Sequence, residues 1–308
     1  MAVRLGKQRA TALGKQRATA LGKRRPVALP DEQRTALRSL IAAVKFELIP
    51  LKNALAAAEG LPEGATVTVT ASPSHGIEST IELAEQMNAR GHEAVPHLSA
   101  HMIRDHAHLS DLLERCRAAG LRETFVVGGD SRDPGTFHDG LALLRAMHDL
   151  GHPFETIGVP GYPEGHPDVP SARLLEVLLE KQRFASYMAT QMCFDPDAIV
   201  GWIAEMRRRG VTLAVHLGTP GVADMAKLMA ISARIGVAGS ARYLKKNKRM
   251  VGHLLTPGKF GPDALLEGMA PAIADPGAKI EALHVFTFNQ VAATVEWQQR
   301  MLASLDGS

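Results

Sequence analysis

The sequence predicts an α/β fold of the (β/α)8 TIM-barrel type, formed by a single domain with extra helices before the last strand. Eight short runs of β-branched or apolar residues alternate, for the most part, with helical stretches, and no G-x-G-x-x-G motif follows any run. Such alternation indicates a parallel sheet covered by helices, and eight units favour a closed barrel over an open sheet. The length of 308 residues leaves room for a barrel of about 250 residues.

The predicted strands follow one another from residue 44 to residue 288. They are VKFELI (44–49), TVTVTA (66–71), EAVPHL (93–98), TFVVGG (124–129), TIGVPG (156–161), YMATQMCF (187–194), TLAVHL (212–217) and ALHVFTF (282–288). The helical stretches between them include 77–91, 108–120, 171–185 and 196–210. The long interval before the eighth strand is expected to hold helices at 223–235, 239–254 and 262–273, and it has room for a hidden strand.

The first 30 residues differ in character from the rest of the chain. LGKQRATA occupies residues 5–12 and is repeated without change at 13–20, and this tail has eight basic and no acidic side chains. We predict a disordered basic tail over 1–30 and the barrel domain over 31–308. An RNA-binding or membrane-surface arm is the alternative. The remaining chain carries 27 basic against 32 acidic residues, so no nucleic-acid partner is expected for the barrel.

Several classes of protein do not fit this sequence. No apolar run reaches the roughly 18–20 residues of a membrane span, and the start has no apolar segment typical of a secretory signal. Cys116 and Cys193 have no nearby cysteine partner. Four histidines fall between residues 97 and 108, but no carboxylate stands at a standard ligand spacing from them. We therefore expect a cytoplasmic protein without a membrane partner or a metal site.

Polar residues follow or end seven of the eight predicted strands, where barrel enzymes carry their catalytic groups. They are Glu47, Thr70, His97, Asp130, the group Tyr162, Glu164 and His166, Gln191, and Asn289. Glu47 is the most informative, because a carboxylate in a strand buried on both sides needs a specific reason. A solvent-facing glutamate is the alternative. The two glycines before Asp130 indicate either an ordinary turn or a close approach of the backbone to a planar ligand.

Seven segments in order give this chain a family resemblance. They are FELIP (46–50), VTVTASP (67–73), AVPHLSA (94–100), VVGGDSRDP (126–134), IGVPGYPEGHPD (157–168), ATQMCFD (189–195) and HVFTFNQ (284–290). These segments are similar to motifs in the catalytic barrel of the methylenetetrahydrofolate reductase family. The segment at 157–168 is the most specific, since it is close to the family pattern V-A-A-Y-P-E-x-H-P-E.

The resemblance implies reduction of 5,10-methylenetetrahydrofolate to 5-methyltetrahydrofolate, a reaction of one-carbon metabolism and methionine biosynthesis. Hydride would pass from NAD(P)H through a bound FAD. The catalytic residues implied are Glu47, as the general acid that opens the methylene bridge, and Asp130 near the pterin and the flavin. The cofactor site implied comprises Thr70, His97, Gly129, Asp130, Tyr162, His166 and Lys181.

The implied folate site comprises Glu47, Gln191 at the pterin edge, Lys227 and Gln290. Gln290 stands where the family has an arginine, and Lys227 is expected to supply that charge. A homo-oligomer is expected from the resemblance, whereas the choice between NADH and NADPH has no indicator in the sequence. Three alternatives remain open: a flavin-independent reductase of the same family, a related FAD barrel such as a proline-dehydrogenase-like oxidase, and a barrel that binds without catalysis.

Overall fold

The computed structural model describes residues 29–129, 135–234 and 259–306, without the side chains of residues 227, 233, 234 and 259. Eight parallel strands close into a barrel in the spatial order 44–48, 280–286, 214–220, 187–190, 156–161, 123–127, 93–99 and 66–69, and the last of these pairs with the first. Helices lie between successive strands. The predicted (β/α)8 TIM barrel is therefore confirmed.

The barrel strands and the helices have the following bounds. The strands are β1 Val44–Leu48, β2 Thr66–Val69, β3 Glu93–Ser99, β4 Glu123–Val127, β5 Thr156–Gly161, β6 Tyr187–Thr190, β7 Ala214–Pro220 and β10 Ile280–Phe286. The helices are α1 Asp31–Ala42, α2 Ala54–Ala58, α3 Gly76–Ala89, α4 His106–Ala118, α5 Gly140–Leu150, α6 Ser171–Lys181, α7 Pro196–Arg208, α8 Met225–Arg234, α9 Asp263–Ala274 and α10 Val291–Asp306. In the described ranges, no helix is long and apolar enough to cross a bilayer.

The segment between β7 and β10 contains the extra elements. Helices α8 and α9 correspond to the predicted helices at 223–235 and 262–273. Two short strands, β8 (Ala223–Asp224) and β9 (Lys259–Phe260), pair antiparallel outside the barrel. The predicted helix at 239–254 and the predicted tail, up to residue 28, lie outside the described residues.

The sequence forms the barrel because its strands alternate in character. In β1, Val44, Phe46 and Leu48 are buried in the main core cluster, whereas Lys45 and Glu47 between them are only partly buried. Since successive side chains of a strand point to opposite faces, the two charged residues lie on the inner face of the barrel. The main hydrophobic core thus lies between the strands and the helices. The barrel interior holds polar groups together with a small apolar cluster of Val95, Phe125, Tyr187 and Ala189.

Aspartates begin three of the helices that return from the strands. Asp105, Asp139 and Asp195 accept hydrogen bonds from backbone N–H groups in the first turns of α4, α5 and α7. A carboxylate at this position satisfies amides that have no partner within the helix and interacts favourably with the helix dipole. These caps fix where each loop at the C-terminal end of the barrel stops.

Candidate active site

The first and last barrel strands bring Glu47 and His284 together inside the barrel. Oε2 of Glu47 and Nε2 of His284 lie 2.9 Å apart, and their side chains are 14% and 2% exposed. The contact depends on register, since β1 pairs with β10 so that Lys45 lies opposite His284 and Glu47 opposite Phe286. Glu47, which the sequence predicts to be functional, thus has a buried partner that lies 237 residues away along the chain.

A second histidine, His97 of β3, lies beside this pair. Its ring centroid is 5.7 Å from that of His284 and 4.8 Å from that of Phe125. Burial, reinforced by His284, holds the pKa of His97 well below its usual range, so the ring is neutral. Within the described part of the chain, its buried Nε2 has no hydrogen-bond partner. His97 therefore retains an unused polar atom next to Glu47.

Glu47, His97 and His284 form a set that could hold a metal ion, because one ligand atom of each lies within 4.8 Å of the others. This set joins three strands, so residue spacing cannot reveal it. Metal-binding histidines almost always donate their second ring N–H to an acceptor. Among the described residues, Nδ1 of His284 has no such partner. The arrangement fits a hydrogen-bonded acid better than a metal centre.

A layer of polar and aromatic groups lies next to the pair, toward the N-terminal ends of the strands. Nζ of Lys45 is 2.5 Å from a carboxyl oxygen of Glu123 and 4.6 Å from the ring centroid of Tyr187. Tyr187 stacks on His216 with ring centroids 3.7 Å apart. Burial, with smaller effects of Lys45 and His284, lowers the pKa of His216 to about 2. This layer closes one side of the site.

The segment after β10 holds the end of β1 in place. The hydroxyl of Thr287 donates to the backbone carbonyl of Glu47 at 2.6 Å. Oδ1 of Asn289 accepts from the N–H of Ile49 at 2.9 Å, and its Nδ2 donates to the carbonyl of Ile49 at 3.0 Å. Asn289, which the sequence predicts as a polar strand end of unassigned role, is a positioning residue for the loop that follows Glu47.

The residues predicted to bind a cofactor lie mainly on one side of the barrel. Thr70 follows β2, His97 lies in β3, Gly129 follows β4 and Tyr162 follows β5, and these four strands are consecutive neighbours in the sheet. Gly129 has a φ of +102°, and a Cβ there would overlap the hydroxyl of Ser99. Only glycine fits this position. The predicted catalytic residue Asp130 is adjacent but lies outside the described residues.

Two further predicted cofactor residues lie near the ends of β5 and β4. The rings of Tyr162 and His166 meet edge to face with centroids 5.3 Å apart. Nζ of Lys181 lies against Gly140 at the start of α5, and burial lowers the pKa of Lys181 while Asp139 opposes that shift. Among the described hydrogen bonds, none is made by the Lys181 ammonium, whereas the Asp139 carboxylate already caps α5.

The predicted folate residues are only partly described. Gln191 lies one residue beyond β6, which ends at Thr190, and not within the strand as predicted. Its Oε1 accepts from the backbone N–H of Met192 at 2.9 Å. Gln290 directly precedes α10. Lys227 lies on α8, and its side chain is outside the described set. The pairing of Lys227 with the charged tail of the folate therefore stays a prediction.

Comparison with known proteins identifies the family to which this chain is similar. A model of the family described as methylenetetrahydrofolate reductase matches residues 51–300, a range that begins just after Glu47. A probable methylenetetrahydrofolate reductase (NADPH) of Caenorhabditis elegans is 25% identical over 193 residues, which cover 58% of this chain and 28% of that protein. Methylenetetrahydrofolate reductase 1 of Schizosaccharomyces pombe is 28% identical over 152 residues, covering 46% and 24%. The chain thus spans about a quarter of the length of these relatives.

A solved structure supports the fold. An uncharacterised protein from Clostridium thermocellum that binds two copies of 5-methyl-5,6,7,8-tetrahydrofolic acid superposes with a TM-score of 0.56 at 10% identity, covering 89% of this chain and 98% of that one. At this identity the likeness is one of fold alone.

The family match extends over most of the sequence, and this chain belongs to the methylenetetrahydrofolate reductase family.

Proposed function

We propose that this chain reduces 5,10-methylenetetrahydrofolate to 5-methyltetrahydrofolate, with NAD(P)H as reductant and FAD as bound cofactor. The observation that carries the proposal is the inward-facing carboxyl group of Glu47, held by His284 on one side and still 14% exposed. A carboxyl group in that setting can deliver a proton to a bound ligand. Membership of the family supports the reaction, and the folate-binding structural neighbour supports the class of substrate.

The acid step requires a proton at one of the two nitrogens that hold the methylene bridge. Protonation of that nitrogen lets its bond to the bridging carbon break, with the electron pair staying on the nitrogen. The other nitrogen then forms an iminium ion with the bridging carbon, which becomes the hydride acceptor. Glu47 is the residue of this chain that would donate the proton, and the backbone contacts from Thr287 and Asn289 would keep it in place.

The residues present fit FAD. Within the described ranges, His97 offers a buried nitrogen beside Glu47 that has no hydrogen-bond partner. Lys181, whose Nζ lies beside Gly140 at the start of α5, would offer a positive charge suited to the cofactor's diphosphate. When bound there, FAD would supply the redox chemistry that links the nicotinamide to the folate. Thr70, Tyr162 and His166 would complete its site.

The test is to purify the protein, record its visible spectrum with and without added FAD, and assay formation of 5-methyltetrahydrofolate with NADH and with NADPH. We expect flavin absorption bands and product formation that depends on FAD. A colourless protein that forms the product would instead establish the flavin-independent reductase. Absence of product with either nicotinamide, in protein that binds FAD, would reject the folate reaction and favour another FAD barrel oxidoreductase.

A further inference from the structure

We propose that His284 is a positioning residue that donates its Nε2 proton to Oε2 of Glu47 and thereby places the transferable proton on the other carboxyl oxygen, Oε1. This inference rests on the proposed function and deepens it, because it assigns the proton-carrying atom. It concerns a residue for which the sequence motif alone gives no role. The geometry behind it is the 2.9 Å contact between a nearly fully buried imidazole and a partly exposed carboxyl group.

The surroundings of His284 select one tautomer. Nε2 lies against Glu47, whereas the buried Nδ1 has no hydrogen-bond partner in the described ranges 29–129, 135–234 and 259–306. A proton on Nδ1 would be a buried donor without an acceptor, which costs free energy. A proton on Nε2 finds the carboxyl oxygen directly. The neutral ring with its proton on Nε2 therefore gives the largest number of these polar atoms a hydrogen-bond partner.

The groups that face His284 also disfavour an imidazolium. They come from β2, β3, β4, β7 and β10 as Thr68, the neutral His97, Phe125, the neutral His216 and Phe286, and from β1 as Lys45. The hydroxyl of Thr68 lies 3.5 Å from Nε2. Lys45 is already positive and is neutralised by Glu123. A second buried cation here would need its own counter-charge, and a glutamate that supplied it could no longer serve as an acid.

The carboxyl group then has two unlike oxygens. Oε2 accepts from His284, while Oε1 makes none of the hydrogen bonds found in the described part of the chain. In the acid step the Oε1–H bond breaks and an N–H bond forms on the bridge nitrogen of the folate. The remaining carboxylate keeps the Nε2–H donor at Oε2. His284 thus stabilises the product of proton transfer without changing its own proton count.

The first test reads the tautomer directly and does not depend on the substrate. In full-length protein labelled with 15N at histidine, the His284 ring signals are assigned by their loss in His284→Gln. We expect one protonated nitrogen, Nε2, and a bare Nδ1 near pH 7. An Nδ1–H tautomer or an imidazolium would overturn the inference. One equivalent of a retained divalent metal would also overturn it, since Nε2 would then be a ligand.

The second test uses a conservative rescue. Gln at position 284 carries an N–H donor near the position of Nε2 but cannot act as an acid or base, whereas Phe keeps the ring without a donor. We expect His284→Phe to slow oxidation of the reduced enzyme by methylenetetrahydrofolate by about 10- to 100-fold, the effect of a lost hydrogen bond to a charged group. His284→Gln should recover most of that rate and keep the wild-type pH profile. Flavin reduction by NAD(P)H should be unchanged in both.

The matched control is His152→Phe, which replaces a partly buried histidine that stacks on Phe154 in the segment between α5 and β5, outside the candidate site. It should leave both steps near their wild-type rates, so a fall there would attribute the effect to general damage. Equal losses in His284→Gln and His284→Phe would overturn the inference in favour of His284 as a proton carrier. If the wild-type protein forms no 5-methyltetrahydrofolate, the proposed function fails, while the tautomer measurement still decides how His284 holds Glu47.

Discussion

The side chain of Asn289 makes two hydrogen bonds to the backbone of Ile49. Its amide oxygen accepts from the N–H of Ile49 at 2.9 Å, and its amide nitrogen donates to the carbonyl of the same residue at 3.0 Å. Asn289 can do so because its backbone adopts a φ of +59°, a region that asparagine tolerates better than most residues. Ile49 lies two residues after Glu47. The contact therefore fixes the position of the proposed acid through the main chain.

Replacing Asn289 with glycine should lower the free energy of unfolding by about 1–3 kcal/mol. Glycine accepts the same φ without strain, so the loss would come from the backbone groups of Ile49 that lose their partners. Urea unfolding followed by circular dichroism measures it. Asn289→Asp, which keeps an acceptor for the Ile49 N–H, should lose less. Equal stability of the glycine variant and the wild type would show that water replaces the side chain at no cost.

Glu47→Gln should separate the two halves of the proposed reaction. Glutamine can still accept a hydrogen bond from His284 but has no transferable proton. We expect normal FAD binding and near-normal flavin reduction by NAD(P)H, with reoxidation by methylenetetrahydrofolate slowed by about 10²- to 10⁴-fold. Stopped-flow absorbance resolves the two steps. A similar loss in both would make Glu47 a structural or nicotinamide-binding residue, and an unchanged second step would remove it from the mechanism.

Lys181→Met should weaken FAD binding by about 10- to 100-fold, because it removes a charged donor while keeping the apolar stem. Titration of the apoprotein, followed by quenching of flavin fluorescence, gives the dissociation constant. Lys279→Met is a suitable control. Lys279 donates to the carbonyl of Thr212, just before the N-terminal end of β7, whereas the predicted cofactor residues lie mainly at the C-terminal ends of the strands. Equal weakening in the two variants would mean that net charge, and not a specific contact, sets the affinity.

The pH dependence of stability should contain a contribution from His216. Burial lowers the pKa of His216 to about 2 in the folded state, against about 6.5 in an unfolded chain. Between these values the unfolded state binds one more proton at this site, so the free energy of unfolding falls as the pH falls. The contribution is about 1.4 kcal/mol per pH unit.

His216→Phe removes that proton uptake and leaves the stack on Tyr187 possible. Between pH 6 and 4, the slope of unfolding free energy against pH should therefore be shallower in the variant by about 1.4 kcal/mol per pH unit. Comparing slopes cancels any constant cost of the substitution. Parallel slopes would show that His216 is protonated in the folded state, and hence that water reaches the barrel interior.

The sequence pattern predicts strand β5 with its exact bounds. It places the C-terminal ends of strands β6 and β7 incorrectly, and each error has a physical reason. The run at 187–194 was predicted too long, because Met192 and Phe194 leave the sheet and bury themselves in a second apolar cluster. Strand β7 was predicted to end at 217, yet it continues through Gly218 to Pro220. That glycine resembles a turn residue, but it is required because a Cβ would overlap the carbonyl oxygen of Thr190.

The candidate site also contains residues that the local sequence indicates and residues that only the strand pairing brings together. Alternation within β1 was enough to single out Glu47, since it depends on adjacent residues. The partnership with His284 depends on which strands adjoin and in which register, and this information is absent from any local window. The Lys45–Glu123 pair across the barrel was missed for the same reason. The β10 pattern does alternate inward at His284 and Phe286, and that alternation was the available indication.

The contact between Glu47 and His284 joins the strand that is synthesised first in the barrel to the strand that is synthesised last. A nascent or partly folded chain that lacks β10 has the acid but neither the imidazole beside it nor the Thr287 and Asn289 contacts that hold its backbone. The contacts that hold the proposed acid are therefore complete only once β10 has closed the barrel.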